Sequence, residues 1–295
     1  LMCTVPARIA GVEEICCCSP PPIQPLTLVA LDIAGVGEIY QCGGAQAIAA
    51  MAIGTESIDP VEKIVGPGNV YVTAAKMMLR EYAEIDFPAG PSEIAVIADE
   101  SAVPAYVAAD IIAQAEHDPN AACLLIATSE QVARDVGDEV KRQAGSAPRK
   151  EIITKALENS GYIVTGDLRE AVAIANTVAA EHLSIQVADT LPVLSGIRNA
   201  GAIFVGPYTP VACGDYASGT NHVLPTAGYA RQYSGLDVHH FCKTSSVQIL
   251  SREGLESIGD IIETLATAEG LSAHAASVRV RREKKTGGRT GSRHS

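Results

Sequence analysis

Long apolar runs, an export signal and a basic surface are what this 295-residue sequence has least of. No apolar run approaches the roughly 18 uncharged residues that a membrane span requires. The first residues also lack the basic, apolar and small-residue succession of a signal peptide, so a cytoplasmic location is expected. The formal net charge of −12 argues against nucleic acid as the main partner, because neutralising phosphates requires basic surface.

The sequence contains eight cysteines but no Cys-x-x-Cys spacing. Because they are spread thinly over a long chain, we expect reduced thiols rather than a disulfide framework. Cys16, Cys17 and Cys18 stand together in a short apolar run that prolines end. This pattern predicts a buried strand, with a metal-binding or redox role as the alternative.

Short β-branched runs alternate with helical runs along most of the chain. The strand-like runs are Glu38–Cys42, Lys63–Val65, Glu93–Asp99, Ala122–Thr128, Tyr162–Gly166, Leu183–Asp189 and Ala202–Tyr208. Alternation on this scale predicts an α/β fold, in which parallel sheets are covered by helices on both faces.

Two interruptions of this alternation divide the chain. Prolines and a glycine break it at Asp86–Glu93, and a glycine-rich loop spans Gly214–Gly235. Beyond that loop we expect a hairpin-like stretch through residues 244–250 and an amphipathic helix from about Glu253. The predicted parts are two Rossmann-like domains at 1–91 and 92–236, the first incomplete, a small helical and hairpin segment at 237–280, and a disordered basic tail at 281–295.

An alanine-rich helix ends with Gln114 and His117, three residues apart, so that both side chains should emerge on one face. Ser101 is expected to cap this helix and Pro104 to lie in its first turn, while Pro119 prevents its continuation. A histidine at a helix C-terminus is favoured by the helix dipole alone. Metal binding by the pair is the alternative.

Further histidines stand beside acidic residues. Glu181 and His182 occupy a helix-to-strand junction, so at least one should face the cleft at the edge of the sheet. The other pairs are Asp215 with His222 in the glycine-rich loop, and Glu269 with His274 near one face of the C-terminal helix. If the segments converged, histidine and aspartate side chains would suit zinc, and Glu181 and His182 would be free for proton transfer. Spacing alone does not establish that convergence.

Two glycine turns precede helices in the manner of nucleotide-binding loops. Gly43 and Gly44 follow a strand and open a helix whose N-terminal amides would face a ligand. Asn69 stands at a second such helix start, where its side chain could cap the helix or contact a cofactor. The first turn is not Gly-x-Gly-x-x-Gly, so a tight turn without a ligand explains it equally well.

Seven motifs, in one order over essentially Leu1 to about Val280, resemble those of the histidinol dehydrogenase family. They are GGAQAIAAMAIGTES, KIVGPGN, PAGPSE, AQAEHDP, AEHLSIQ, GDYASGTNHVLPT and AHAASV. The resemblance implies a zinc-dependent enzyme that oxidises L-histidinol to L-histidine through the aldehyde, by two successive hydride transfers to NAD, as the last step of histidine biosynthesis. It also implies a homodimer in which the C-terminal segment reaches into the partner's active site.

The same resemblance assigns roles to individual residues. The implied ligands of one zinc ion per subunit are Gln114, His117, Asp215 and His274. These ligands, His182, Ser92, His222 and Glu269 are the implied substrate contacts, and Gln46 and Asn69 the implied NAD contacts. His182 would take the alcohol proton, and Glu181 would activate the water that attacks the aldehyde. Residues 1–91 would then bind NAD, 92–236 would carry the catalytic residues, and 237–280 would be exchanged in the dimer.

Part of the family's pattern has no counterpart in this chain. The absent part is N-terminal and includes a cofactor-contacting tyrosine and strands that complete one sheet, which would leave strand edges unpaired. We therefore expect poor solubility or weak NAD affinity. Two other interpretations remain: a zinc hydrolase in which Glu181 activates metal-bound water, and an inactive fragment that keeps the fold but only binds metal or a partner chain.

Overall fold

The computed structural model describes residues 1–283, so the predicted basic tail lies almost entirely outside the described residues. The chain divides into two compact units, the first spanning Leu1–Cys242 and the second beginning at Lys243. The division into four parts stays a prediction. None of the helices in the described part is both long enough and apolar enough to cross a bilayer.

Strands and helices alternate through the first unit, as predicted. In chain order its elements are α1 (Thr4–Ile9), β1 (Cys16–Cys18), α2 (Pro25–Ile33), β2 (Glu38–Tyr40), α3 (Ala45–Ile53), β3 (Lys63–Ile64), α4 (Val70–Met78), β4 (Glu84–Ile85), β5 (Glu93–Ala98), α5 (Pro104–Ala115), β6 (Ala122–Ala127), α6 (Glu130–Ser146), α7 (Lys150–Glu158), β7 (Gly161–Val164), α8 (Leu168–Val178), β8 (His182–Gln186), α9 (Thr190–Gly196), β9 (Ala202–Val205) and α10 (Ala212–Tyr216). Two short 3₁₀ helices follow, at Tyr229–Arg231 and Val238–Phe241.

The largest sheet has five parallel strands in the order β7-β6-β5-β8-β9. Its central strand β5 alternates between two cores, because successive side chains of a strand point to opposite faces. Ile94 and Val96 pack with residues of α5, α6 and α7. Ala95 and Ile97 pack with residues of α8 and α9 on the other face. The predicted α/β class with parallel strands is confirmed.

The N-terminal part of the first unit contains two separate sheets of two parallel strands each, β1-β2 and β3-β4. A small apolar cluster includes Ile48, Ala52, Ile64 and Ala83. Cys16–Cys18 forms a strand, as predicted, but its side chains are half-buried rather than buried. A strand that pairs along only one edge in so small a sheet receives only partial cover from its surroundings.

The helix starts show where local sequence signals hold and where they fail. Asn69 caps α4, its side-chain oxygen accepting from the amides of Tyr71 and Val72 at 3.1 Å each. Pro104 opens α5, as predicted. The predicted cap by Ser101 is wrong, because its backbone amide and hydroxyl both donate to Asp99 Oδ1 instead.

The second unit is a pair of helices, α11 (Arg252–Ala268) and α12 (Ser272–Arg282). Arg282 joins them through Nη1, which lies 2.8 Å from Glu263 Oε1 and 2.7 Å from Asp260 Oδ1. The predicted amphipathic helix near Glu253 is therefore confirmed. The predicted hairpin is wrong, since residues 243–250 contain no strand in the described structure and the side chains of Val247 and Ile249 are exposed.

Candidate active site

Four polar residues meet at the amino ends of β5 and β8: Ser92, Glu93, Glu181 and His182. His182 is the first residue of β8 and pairs in register with Ile94 of β5. The backbone amide of Glu93 donates to Glu181 Oε2 at 3.1 Å. Glu181 and His182 thus lie at a helix-to-strand junction, as predicted. Ligands of open parallel sheets usually bind at the carboxyl ends of the strands, so this candidate site uses the opposite edge.

A glycine permits the close approach that brings β9 to this edge. Gly201 donates its amide to Ala180 O at 3.0 Å, and the next residue, Ala202, donates to Glu181 O at 2.8 Å. A Cβ at Gly201 would lie 2.6 Å from the carbonyl oxygen of Glu181. Glycine is therefore required here by space.

Burial shifts the protonation of both Glu181 and His182. Burial raises the pKa of Glu181 to about 8, although hydrogen bonds from the Glu93 amide and the Ser92 hydroxyl oppose the shift. Burial lowers the pKa of His182 to about 4, against the charge of Asp215. At neutral pH the imidazole is consequently uncharged and able to accept a proton.

His182 also has an unused polar atom. Its Nδ1 is buried and has no hydrogen-bond partner within residues 1–283, and Glu181 Oε2 lies 3.7 Å away, too far for a good hydrogen bond. The imidazole packs against the ring of Phe204, with centroids 5.8 Å apart. A fixed ring with a free nitrogen is suited to proton transfer with a bound molecule.

The end of α5 supplies two more candidate side chains. Gln114 lies in the last turn and is buried, and its Nε2 has no partner among the described side chains and backbone atoms. His117 is exposed, just past the C-cap Glu116. Because β6 begins beside β5, with Ala122 paired to Glu93, the end of α5 returns the chain to the edge that carries His182.

Asp215 and His222 complete the group within the first unit. Asp215 lies in the short helix α10, and His222 Nδ1 is 3.0 Å from the Asp215 carbonyl oxygen. Asp215, His117 and His222 all lie close enough to His182 to influence its pKa electrostatically. The structure therefore brings these three side chains into the surroundings of the Glu181 and His182 pair.

Glu269 and His274 belong to the second unit, and the expectation that they share a helix is wrong. Glu269 is the C-cap of α11, whereas His274 lies in α12. Gly270, with φ +76°, reverses the chain between them, and the amide of Leu271 donates to Ala266 O at 2.7 Å. This is the pattern of a Schellman helix end, for which glycine is the preferred residue.

No three His, Cys, Asp or Glu side chains within residues 1–283 are arranged to hold a metal ion. Three of the four ligands that the resemblance implies lie in the first unit: His117, Asp215 and Gln114. Only His117 and Asp215 are of these four residue types, and Gln114 contributes an amide. A nitrogen-and-oxygen donor set of this kind is chemically suited to zinc. The buried Nε2 of Gln114, which has no hydrogen-bond partner within residues 1–283, also fits a binding site.

The glycine turn before α3 has two different structural causes. A Cβ at Gly43 would lie 2.8 Å from Pro20 Cδ, so packing excludes a side chain. Gly44 is the N-cap of α3 with φ +78°, a conformation that favours glycine, and the side chain of Gln46 folds back over it. Both Gln46 and Asn69 thus stand at helix starts, where the sequence placed them, and their contact with NAD stays a prediction.

Sequence reasoning missed Glu93 and Asp110. Glu93 Oε1 is buried without a partner in the described region, and burial raises the pKa of this carboxyl. Asp110 is a buried carboxyl between Val107 and Ile111 on the inner face of α5. The sequence could have identified Asp110 as a residue with a specific contact, because it is a charged residue on an apolar helix face. Such residues are seldom buried without a specific partner.

Fold and site together define an α/β protein with a buried carboxyl and imidazole pair at one sheet edge, an arrangement typical of enzymes. A family model described as histidinol dehydrogenase matches residues 1–282. The chain belongs to the histidinol dehydrogenase family, which confirms the resemblance seen in its motifs.

Relatives in other organisms are similar over nearly the whole chain. The histidinol dehydrogenase of Methanosarcina mazei is 55% identical over 285 residues, which cover 95% of this chain and 66% of the relative. That of Methanothermobacter thermautotrophicus is 53% identical over 286 residues, 95% of this chain and 67% of the relative. The crystal structure of histidinol dehydrogenase from Elizabethkingia anophelis superposes with a TM-score of 0.93 at 43% identity, over 95% of this chain and 66% of that one. The chain thus spans about two thirds of the length of the proteins it matches.

Proposed function

We propose that this chain carries the catalytic residues of an enzyme that oxidises L-histidinol to L-histidine, through L-histidinal, by two successive hydride transfers to NAD in the cytoplasm. This would be the last step of histidine biosynthesis. The observation that supports it most is the buried Glu181 and His182 pair, with His117, Asp215 and His222 near it. Membership of the histidinol dehydrogenase family points to the same reaction.

The two buried residues would divide the proton transfers between them. His182, held uncharged by burial, would accept the proton of the alcohol as hydride leaves the carbinol carbon. Glu181, in its ionised form, would take a proton from the water that attacks the aldehyde, and because burial raises its pKa to about 8 the ionised fraction grows as the pH rises toward that value. The amide of Glu93 would keep the Glu181 carboxyl oriented throughout.

Gln114, His117, Asp215 and His274 would hold a zinc ion. The amide of Gln114 can present either its oxygen or its nitrogen, because the two are exchanged by rotation of the group, and neither choice breaks a hydrogen bond of the buried Nε2 within the described residues. When bound, zinc would orient and polarise the substrate. In the proposed homodimer, His274 and Glu269 would act on the active site of the other copy.

The remaining proposed contacts surround the same reaction. Ser92, His222 and Glu269 would bind the substrate, with Ser92 already hydrogen-bonded to Glu181. Gln46, beside the turn at Gly43 and Gly44, and Asn69, at the start of α4, would contact NAD. Holding the aldehyde between the two steps would keep a reactive intermediate from solvent.

The direct test is to add zinc, NAD and L-histidinol to the purified chain and to follow the near-ultraviolet absorbance of reduced nicotinamide. Histidinol-dependent reduction is expected. Zinc retention without reduction would favour a metal-binding fragment, and ester or amide hydrolysis without reduction would favour the hydrolase. In the active chain, Glu181→Gln should slow oxidation of the aldehyde by about 10²- to 10⁴-fold and that of the alcohol much less. Equal losses in both steps would exclude Glu181 as the base for water.

A further inference from the structure

We propose that Asp110 is a positioning residue, whose buried carboxylate holds the start of α10 against α5 and thereby fixes Asp215 relative to Gln114. This inference rests on the proposed function, because it takes Gln114 and Asp215 as ligands of one metal ion. Asp110 lies outside all seven of the family motifs.

A single long-range hydrogen bond carries the inference. The backbone amide of Val211 donates to Asp110 Oδ1 at 3.2 Å, and the two residues are 101 positions apart in the chain. Both are buried, with 6% of Asp110 and 4% of Val211 exposed. The bond therefore ties two distant segments together in a place where water does not compete for it.

The spacing on both sides of this bond is the same. Asp110 precedes Gln114 by four residues on α5, and Val211 precedes Asp215 by four residues at α10. Four residues make about one helical turn, so each proposed ligand lies one turn beyond the bond. Lengthening or losing the bond would change the separation of Gln114 and Asp215.

Helix α10 depends on such external support. It spans only Ala212–Tyr216, far shorter than a helix that is stable on its own. Its N-cap, Val211, has no side-chain oxygen to accept a hydrogen bond. A further close contact of α10 is at Gly214, where a Cβ would lie 2.9 Å from the ring carbon Cζ of Phe204. Asp110 thus supports the start of this five-residue segment, and Phe204 packs against its middle, next to Asp215.

The chemical nature of Asp110 agrees with this role. Burial raises the pKa of its carboxyl to about 6, and the Val211 amide opposes that shift. Burying a carboxyl is unfavourable, and an apolar side chain would pack better beside Val107 and Ile111 if packing were the sole function. A specific acceptor for the α10 backbone accounts for the aspartate.

Substitutions at both ends of the bond test the inference in the full chain. Asp110→Ala removes the acceptor, whereas Asp110→Asn retains a side-chain oxygen in the same place. Val211→Pro removes the donor, and the φ of −57° at Val211 is compatible with proline. Val107→Ala, which removes buried atoms one turn earlier on α5, is the control for general loss of packing.

Two properties are measured for the wild type and for each variant. One is zinc affinity by competition with a chelator, and the other is amide hydrogen exchange of residues 211–216 in the zinc-free chain. Asp110→Ala and Val211→Pro should each weaken zinc binding by about 10- to 100-fold and speed exchange in α10. Their combination should be no worse than either alone, because both remove one interaction. Asp110→Asn should stay within about threefold of the wild type, and Val107→Ala should lower stability without changing zinc affinity.

Unchanged zinc affinity and unchanged exchange in Asp110→Ala would overturn the inference. So would an equal loss of zinc affinity in Val107→Ala, since the effect would then be general destabilisation. In another outcome, the wild type binds no zinc while Asp110→Ala still speeds amide exchange of residues 211–216. The proposed function would then fail, but the positioning of α10 by Asp110 would stand. If Asp110→Ala did not fold, Val211→Pro and Asp110→Asn would decide the question.

Discussion

The five-stranded sheet and the N-terminal part of the first unit are held together by different interactions. Residues of β5 and β8 are almost completely buried between two apolar cores. The N-terminal part has strands of two or three residues and a small apolar cluster. It also leaves large apolar side chains exposed, among them Leu26, Ile33 and Met78.

A buried ion pair takes over part of the stabilisation in the N-terminal part. Lys76 Nζ contacts Asp86 Oδ1 and donates to Gly66 O at 3.0 Å, while the amide of Gly66 donates to Asp86 Oδ2 at 2.8 Å. Both polar groups of Gly66, which has φ +119°, are therefore bound by the pair. In the N-terminal part the strands are too short for packing to hold the loop at Gly66 in place, so buried polar contacts hold it. In the five-stranded sheet the longer strands are held by the packing of apolar side chains.

The largest expected effect comes from breaking the ion pair. Lys76→Met leaves the Asp86 carboxylate buried without its cation and should reduce the free energy of unfolding by about 3–5 kcal/mol. Arg80→Met, at an exposed pair with Glu84, should change it by less than about 1 kcal/mol. Urea denaturation measures both. Similar effects of the two variants would show that the buried pair does not hold the N-terminal part.

A matched pair of leucine substitutions compares packing in the two regions. Leu183, in β8, is 1% exposed and Leu26, in α2, is 82% exposed. Leu183→Ala should cost about 2–5 kcal/mol of unfolding free energy, because it leaves a cavity in a close-packed core. Leu26→Ala should change it by less than about 0.5 kcal/mol. A large loss in Leu26→Ala, measured by the same denaturation, would mean that α2 is packed against something in solution.

A glycine at the candidate site provides a smaller effect. Gly201→Ala would bring a Cβ within 2.6 Å of Glu181 O, so the strand must shift, at a cost of about 1–3 kcal/mol. Gly161→Ala, at the start of β7, meets no atom within 4 Å and should be neutral within about 1 kcal/mol. Thermal unfolding compares the two. Equal melting temperatures would contradict the close approach of β9 to Glu181.

The smallest expected effect is the pH dependence that Glu181 adds. Above its usual pKa of 4.5 the unfolded carboxyl is ionised, while the folded one keeps its proton until about pH 8, so stability falls as pH rises through this range. Burial lowers the pKa of His182 from 6.5 to about 4, so its effect on the folded state is the opposite: stability falls as the pH drops from 6.5 toward 4. Between pH 6.5 and 8 the melting temperature of the zinc-free chain should therefore decline less in Glu181→Gln than in the wild type.

Glu139→Gln is the control for this titration. Glu139 is half-buried on α6, and hydrogen bonds from Arg142 and Gln143 lower its pKa to about 2. Its contribution to stability is lost only as pH falls below its usual pKa of 4.5, so the variant should match the wild type between pH 6.5 and 8. Parallel curves for Glu181→Gln and the wild type would contradict the burial of an acidic proton at Glu181.

Local patterns predicted the elements that local physics controls. Alternating apolar runs gave the parallel strands, and Asn69 and Pro104 marked helix starts correctly. The prediction that Ser101 caps α5 was wrong because the carboxylate of Asp99, two residues before it, accepts hydrogen bonds from both the amide and the hydroxyl of Ser101. The prediction that Glu269 and His274 share one helix was wrong because the chain reverses at Gly270 and forms two helices.

The sequence by itself determined the α/β class, the order of strands and helices, and the family, because each depends on residue types and spacings along the chain. Only the tertiary structure decided that Glu181 and His182 lie at the amino edge of the sheet, that Asp110 reaches the amide of Val211, and that Lys76 and Asp86 enclose Gly66. Such contacts join positions far apart in sequence, and burial then sets protonation states that the isolated residues do not have.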